Sequence, residues 1–152
     1  MNFYQFIIPR LNGKDIEKDF DYYLGLVKKG IAGFIIFGGK LEIVRQGISE
    51  LQKEAERPLI IAADLERGLG QQIEGGTIFP PAMAIAAAIT PPVPPLAKGG
   101  IKGGWGQVSG SRLTLLRKAF KAIAVEARDA GINTIFAPVL DINTNPKNPI
   151  IS

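Results

Sequence analysis

The stretch "PLIIAADLERGLGQQIEGG", residues 58 to 76, decides the fold. Its apolar part is short, continuous and rich in Ile, the pattern of a strand covered on both faces within a parallel sheet. Asp64 stands where that run stops, and Gly75 with Gly76 marks a tight backbone bend further along the loop. Three other runs have the same character: "FYQFIIPRL" (3 to 11), "GFIIF" (33 to 37) and "NTIFAPVLD" (133 to 141). Between them lie "KDFDYYLGLVKKG", "LEIVRQGISELQKEAE" and "LTLLRKAFKAIAVEARDAG", whose apolar residues recur with helical period. In the second, Ile43, Ile48, Leu51 and Ala55 fall on or near one face, while Glu50, Lys53, Glu54 and Glu56 favour the other. Gly30 and Gly131 end the first and third helical segments, the usual stop one or two residues before a strand. The order is therefore β-α-β-α-β-(long loop)-α-β. Right-handed βαβ crossovers follow from it, in either an open doubly wound sheet or part of a (β/α)8 barrel.

Residues 90 to 110, "TPPVPPLAKGGIKGGWGQVSG", break this alternation. Dense in Pro and Gly and without an apolar period, they read as a flexible low-complexity insert between the third strand unit and its helix. A polyproline docking site for an aromatic groove is the rarer alternative. Ahead of the insert, "IFPPAMAIAAAI" (78 to 89) puts a Pro pair before an alanine-rich helical turn.

Composition narrows the chemistry. The 152 residues suit one modest domain, and 46% hydrophobic against 21% charged is the balance of a globular protein with a real core. Neither Cys nor His occurs, which removes disulfides, thiolate metal sites, the commonest metal ligand and the commonest neutral-pH base. Chemistry must then run on carboxylates, Lys, Tyr or Ser, or on groups from another chain; no metal or cofactor is expected. The net charge of +4 is spread over separate groups, Lys28 with Lys29, Lys98 with Lys102, and Arg117, Lys118 and Lys121, so no nucleic-acid partner is expected. No signal peptide and no run of about 20 apolar residues is seen, which leads us to expect a cytoplasmic protein without a membrane partner.

Asp64 and Asp141 both close a strand run. In α/β sheets and barrels alike, the C-terminal strand edge is where ligands bind, because its loops vary while the strands hold their roots. Against this stands capping: a strand-end Asp often only accepts backbone N–H bonds of the next loop. Two such residues on one edge favour ligand binding. Glu66 is a third candidate, or a scaffold partner of Arg67 or Arg57. "APVLDINTNPKNP" offers Asn and Asp groups suited to a polyhydroxyl ligand, though Asn and Pro also make ordinary turns. "FGGK" lacks the spacing and hydroxyl of a phosphate loop, and "GLGQQI" lacks the third glycine of a dinucleotide fingerprint.

Taken in order, "GIAGFIIFGG", "PLIIAADLERGLGQQIEGGTIFPPAMAIAAA" and "AIAVEARDAGINTIFAPVLDINTNPKNPIIS" resemble the N-terminal barrel domain of glycoside hydrolase family 3, the group of bacterial β-N-acetylglucosaminidases and β-glucosidases. The resemblance spans nearly the whole chain outside the insert. It implies an α/β fold of (β/α)8 TIM-barrel type, of which residues 1–152 hold about the first half, four strands and three main helices. It implies a retaining hydrolysis of O-glycosyl bonds, with an Asp nucleophile and a separate acid/base group. It also implies that Asp64, at the Asp of the family's Asp-x-Glu-Gly-Gly stretch, accepts hydrogen bonds from hydroxyls of a β-linked glucoside or N-acetylglucosaminide. Arg67 stands where the commoner pattern has Gly, and Leu69, Gly70 and Gln72 replace a basic, an apolar and a basic residue.

The family's nucleophile and acid/base would fall beyond Ser152. The expectation is therefore a truncated or split part, inactive alone, which binds carbohydrate through Asp64 and Asp141 and pairs with a complementing C-terminal half chain. The alternatives are a non-catalytic sugar- or nucleotide-binding α/β module, or a degenerate pseudogene product.

Overall fold

The computed structural model describes residues 1–81, 84–85, 88, 110–139, 145 and 147. Four strands, β1 (Arg10–Asn12), β2 (Gly33–Phe37), β3 (Ile60–Ala63) and β4 (Thr134–Ile135), form one sheet. They lie in the order β1-β2-β3-β4 with every pair parallel. Helices α1 (Phe20–Lys28), α2 (Leu41–Glu54) and α3 (Gly110–Asp129) make the three crossovers. Strand order settles which α/β class this is. A doubly wound sheet reverses direction at a switch point, whereas sequential order with right-handed crossovers puts every helix on one side, the winding of a (β/α)8 barrel.

Register fixes what each face holds. Arg10, Ile35, Ala62 and Thr134 pair across the sheet in one row and share one face. Leu11, Phe34, Ile36, Ile61 and Ala63 alternate onto the other face, where all are fully buried. There they join Tyr23 and Val27 of α1, Val44, Ile48 and Leu51 of α2, and Ile123 and Ala127 of α3 in a single core cluster. Tyr23 meets the Phe34 ring edge-on at 5.7 Å between centroids, and its hydroxyl accepts the Asn12 backbone N–H at 3.1 Å.

The continuous apolar runs lead one to expect cover on both faces, and the described residues meet this in part, Ala62 being fully buried on the face away from the helices. On the face away from the helices Ile60 is 40% exposed, and Phe136, two residues beyond Thr134, is 49% exposed. The Arg10 guanidinium lies 4.8 Å over the centre of the Phe37 ring on that same face. The strands carry the composition of a closed barrel, in which this face is filled by layers of side chains from opposite strands.

The first strand is shorter than its apolar run. Phe3–Phe6 is a 3₁₀ turn, because the Asn2 side chain accepts the Tyr4 N–H and the Tyr4 carbonyl accepts the Ile7 N–H, and these local bonds prevail over extension. The last strand also stops early: Phe136 still donates to the Ala63 carbonyl, but Pro138, reached through a cis peptide bond, has no N–H for the ladder. The helix stops match expectation, Gly30 and Gly131 having φ of 81° and 87°. The insert at about 90 to 110 lies outside the described residues, except for Gly110, which opens α3. Among the described residues no helix is long and apolar enough to cross a membrane.

Two glycines of opposite character test this packing. A Cβ at Gly33 would lie 1.8 Å from the Ile60 carbonyl oxygen across the β2–β3 pair, whereas one at Gly25 in α1 would meet nothing within 4 Å. Gly33→Ala is expected to cost about 3 kcal/mol or more, and Gly25→Ala to stabilise by about 0.5–1 kcal/mol, both read from urea unfolding midpoints.

Candidate functional site

β3 ends at Ala63, so Asp64 is the first residue past the C-terminal edge of the sheet, and its side chain is half-buried there. Among the described residues, no backbone N–H or other hydrogen-bond donor, and no Lys or Arg in an ion pair, is recorded for this carboxylate; the ion pair found is Arg45 with Glu42 on α2, 3.8 Å apart. Capping therefore does not account for Asp64. A carboxylate offers about four acceptor positions, and this one is carried at a strand end. Asp141 lies outside the described residues.

The loop after Asp64 is held in place chiefly by apolar anchors. Leu65, Leu69 and Ile73 recur every fourth residue and are all buried in the core cluster. Backbone bonds then close the loop on itself: Phe79 N–H donates to the Arg67 carbonyl at 2.7 Å, and Gly70 N–H to the Thr77 carbonyl at 2.9 Å. The Arg67 N–H donates to the Gln71 side chain at 2.7 Å. Glu74 ties the loop to the neighbouring rim, its N–H donating to the Gly39 carbonyl and its carbonyl accepting from Leu41 N–H, each at 2.9 Å. On the far side the Thr77 N–H and hydroxyl both donate to Glu126 of α3.

Glu66 is exposed and takes neither scaffold partner offered to it. Arg57 instead donates to the Gly30 carbonyl at 2.7 Å, and the Arg67 Nε to the Phe79 carbonyl at 3.5 Å. A cleft of about 450 Å³ opens where β1 and β2 end, lined by Lys14, Lys40, Ile43, Gln72, Glu74 and the glycines at 13, 38 and 39. It adjoins the Asp64 loop through Gln72 and Glu74, and its size suits a small ligand. Among the described residues no group of three Asp or Glu side chains is placed to hold a metal ion.

Sequence reasoning found Asp64 but not what holds its loop. The four-residue spacing of Leu65, Leu69 and Ile73 was the available signal. Glu126 and Thr77 left none, since an isolated Glu on a helix and a Thr after two glycines are ordinary surface residues.

A singly wound parallel α/β sheet with a carboxylate at its C-terminal rim defines the class: an α/β domain of barrel-type winding. The family follows from comparison. Residues 14–152 match the model described as the glycosyl hydrolase family 3 N terminal domain, and the chain belongs to that family. It is 32% identical over 130 residues to a β-N-acetylglucosaminidase/β-glucosidase of Cellulomonas fimi, covering 84% of this chain and 19% of that protein. It is 28% identical over 173 residues to β-hexosaminidase A of Pseudoalteromonas piscicida, covering 92% of this chain and 26% of that one. The chain thus spans about a quarter or less of the curated relatives it matches.

Gly68 tests the rigidity of the loop. Its φ of 83° with ψ of −179° is a conformation essentially confined to glycine, and a Cβ would sit 2.7 Å from both the Phe79 ring and the Thr77 carbonyl. Gly68→Ala is expected to destabilise by about 1–3 kcal/mol in thermal melts and to loosen residues 64–79 in hydrogen exchange more than β2.

Proposed function

We propose that this chain forms the sugar-holding half of a retaining β-glycosidase barrel, acting on β-linked glucosides or N-acetylglucosaminides. The observation that carries the reading is Asp64, rooted at the end of β3, half-buried and without a capping or ion-pair partner among the described residues. Held there, the carboxylate accepts two sugar hydroxyls at once. Such charge-assisted bonds orient the ring. The names of the two relatives and the family match support the same substrate class.

Hydrolysis itself needs more than these strands. In a retaining enzyme one carboxylate attacks the anomeric carbon as an acid protonates the leaving oxygen; water then releases the sugar from the glycosyl-enzyme intermediate. A closed barrel has eight strands, and four are present among the described residues. The other half, on whatever polypeptide carries it, would supply the nucleophile and the acid/base group. It would also cover Ile60 and Phe136 and pair with the edges of β1 and β4 that have no neighbouring strand among the described residues.

Two measurements test this. Asp64→Asn keeps the shape and removes the charge, so dissociation constants for methyl β-N-acetylglucosaminide and methyl β-glucoside should rise about 10- to 100-fold by titration calorimetry. Unchanged affinity sinks the role of Asp64. In sedimentation, the 152-residue chain alone should run as associated species. A stable monomer with a sharp cooperative melt contradicts the need for a second half.

A further inference from the structure

The geometry points to Glu126 as a positioning residue that locks the Asp64 loop from α3. Its carboxylate is engaged three times by one residue of that loop. Thr77 N–H donates to Oε1 at 3.0 Å and to Oε2 at 3.2 Å, and Thr77 Oγ1 donates to Oε1 at 2.8 Å. Among the described residues no Lys or Arg pairs with Glu126, so its charge is answered by these donors. Hydrogen bonds to a charged acceptor are roughly twice as strong as neutral ones, and this backbone N–H would otherwise lack a partner.

Thr77 is the point at which such a hold would matter. Its own carbonyl accepts Gly70 N–H, and two residues later Phe79 N–H closes onto the Arg67 carbonyl. Fixing Thr77 therefore fixes both ends of the short ladder that begins three residues after Asp64. Packing around it leaves little slack: a Cβ at Gly70 would lie 2.4 Å from the Gly76 carbonyl, and one at Gly76 would lie 2.7 Å from Gly70 N. Glu126 itself is set by the helix, half-buried beside Ala127, which is in the core cluster.

The two partners are 49 residues apart in sequence, and the chain between them leaves through Pro80 and Pro81 and returns as α3. The contact joins the loop's exit directly to the returning helix. This lock stands by itself; only its consequence for sugar affinity rests on the reading of Asp64 given above.

Hydrogen–deuterium exchange on the full chain tests it. Glu126→Ala should speed exchange in residues 64–79 about tenfold while leaving β2 and β3 as in the wild type. Thr77→Ser keeps both donors and should match the wild type, whereas Thr77→Val loses the hydroxyl bond and should fall between. Exchange in 64–79 that is unchanged by Glu126→Ala, that rises equally in β2, or that is not restored by Ser overturns the lock. Should Glu126→Ala fail to fold, Glu126→Gln and Thr77→Val carry the same comparison. Titration with methyl β-N-acetylglucosaminide separates the two ideas. A wild-type chain that shows the exchange pattern and binds no sugar sinks the reading of Asp64 and leaves the lock standing.

Discussion

Parallel pairing of strands in sequence order is the constraint on which everything else here rests. Each strand must be re-entered from the same end, so each connection has to travel the length of the sheet, and a right-handed helix is the compact way to do it. With the order β1-β2-β3-β4, the three helices fall on one side and bury Leu11, Phe34, Ile36, Ile61 and Ala63 beneath them. The same constraint brings all C-terminal strand ends to one rim. That is why the loop after β3 lies next to Gly39 and Lys40 at the end of β2.

The rim joins two kinds of stability. Below the edge, apolar burial dominates, and even the polar links serve the strands: Gln52 of α2 bonds both the N–H and carbonyl of Leu59, and Asn133 accepts from Ile61 N–H while donating to the Leu59 carbonyl. Above the edge, Leu65, Leu69 and Ile73 carry that burial up into the loop, and hydrogen bonds to Gly39, Leu41 and Glu126 complete the hold. A carboxylate on such a loop keeps its position without spending its own oxygens on capping. The membership of glycosyl hydrolase family 3 fits a rim of this design.

Much of the fold was legible because its signals are local. "GFIIF" is β2 residue for residue, and "PLIIAAD" contains β3 with Asp64 just past its end. Gly30 and Gly131 stop their helices because a left-handed residue ends the run of i to i+4 bonds there. The misses came where competing local bonds or a missing donor cut an apolar run short, as Asn2 does before β1 and Pro138 does after β4. Of the candidate site, Asp64 was visible from its place at the end of an apolar run. Its freedom from capping was not, since whether a loop amide turns back toward a carboxylate depends on loop geometry.

Local periodicity and strand-end chemistry thus determined the elements, their alternation and the carboxylate at the edge, because each depends on residues close together in the chain. Tertiary structure alone decided between a doubly wound sheet and barrel winding, left Ile60 and Phe136 exposed on the face away from the helices, and joined Thr77 to Glu126. Those outcomes depend on contacts between residues tens of positions apart, and no short-range pattern encodes which distant partner a strand edge or a lone carboxylate will meet.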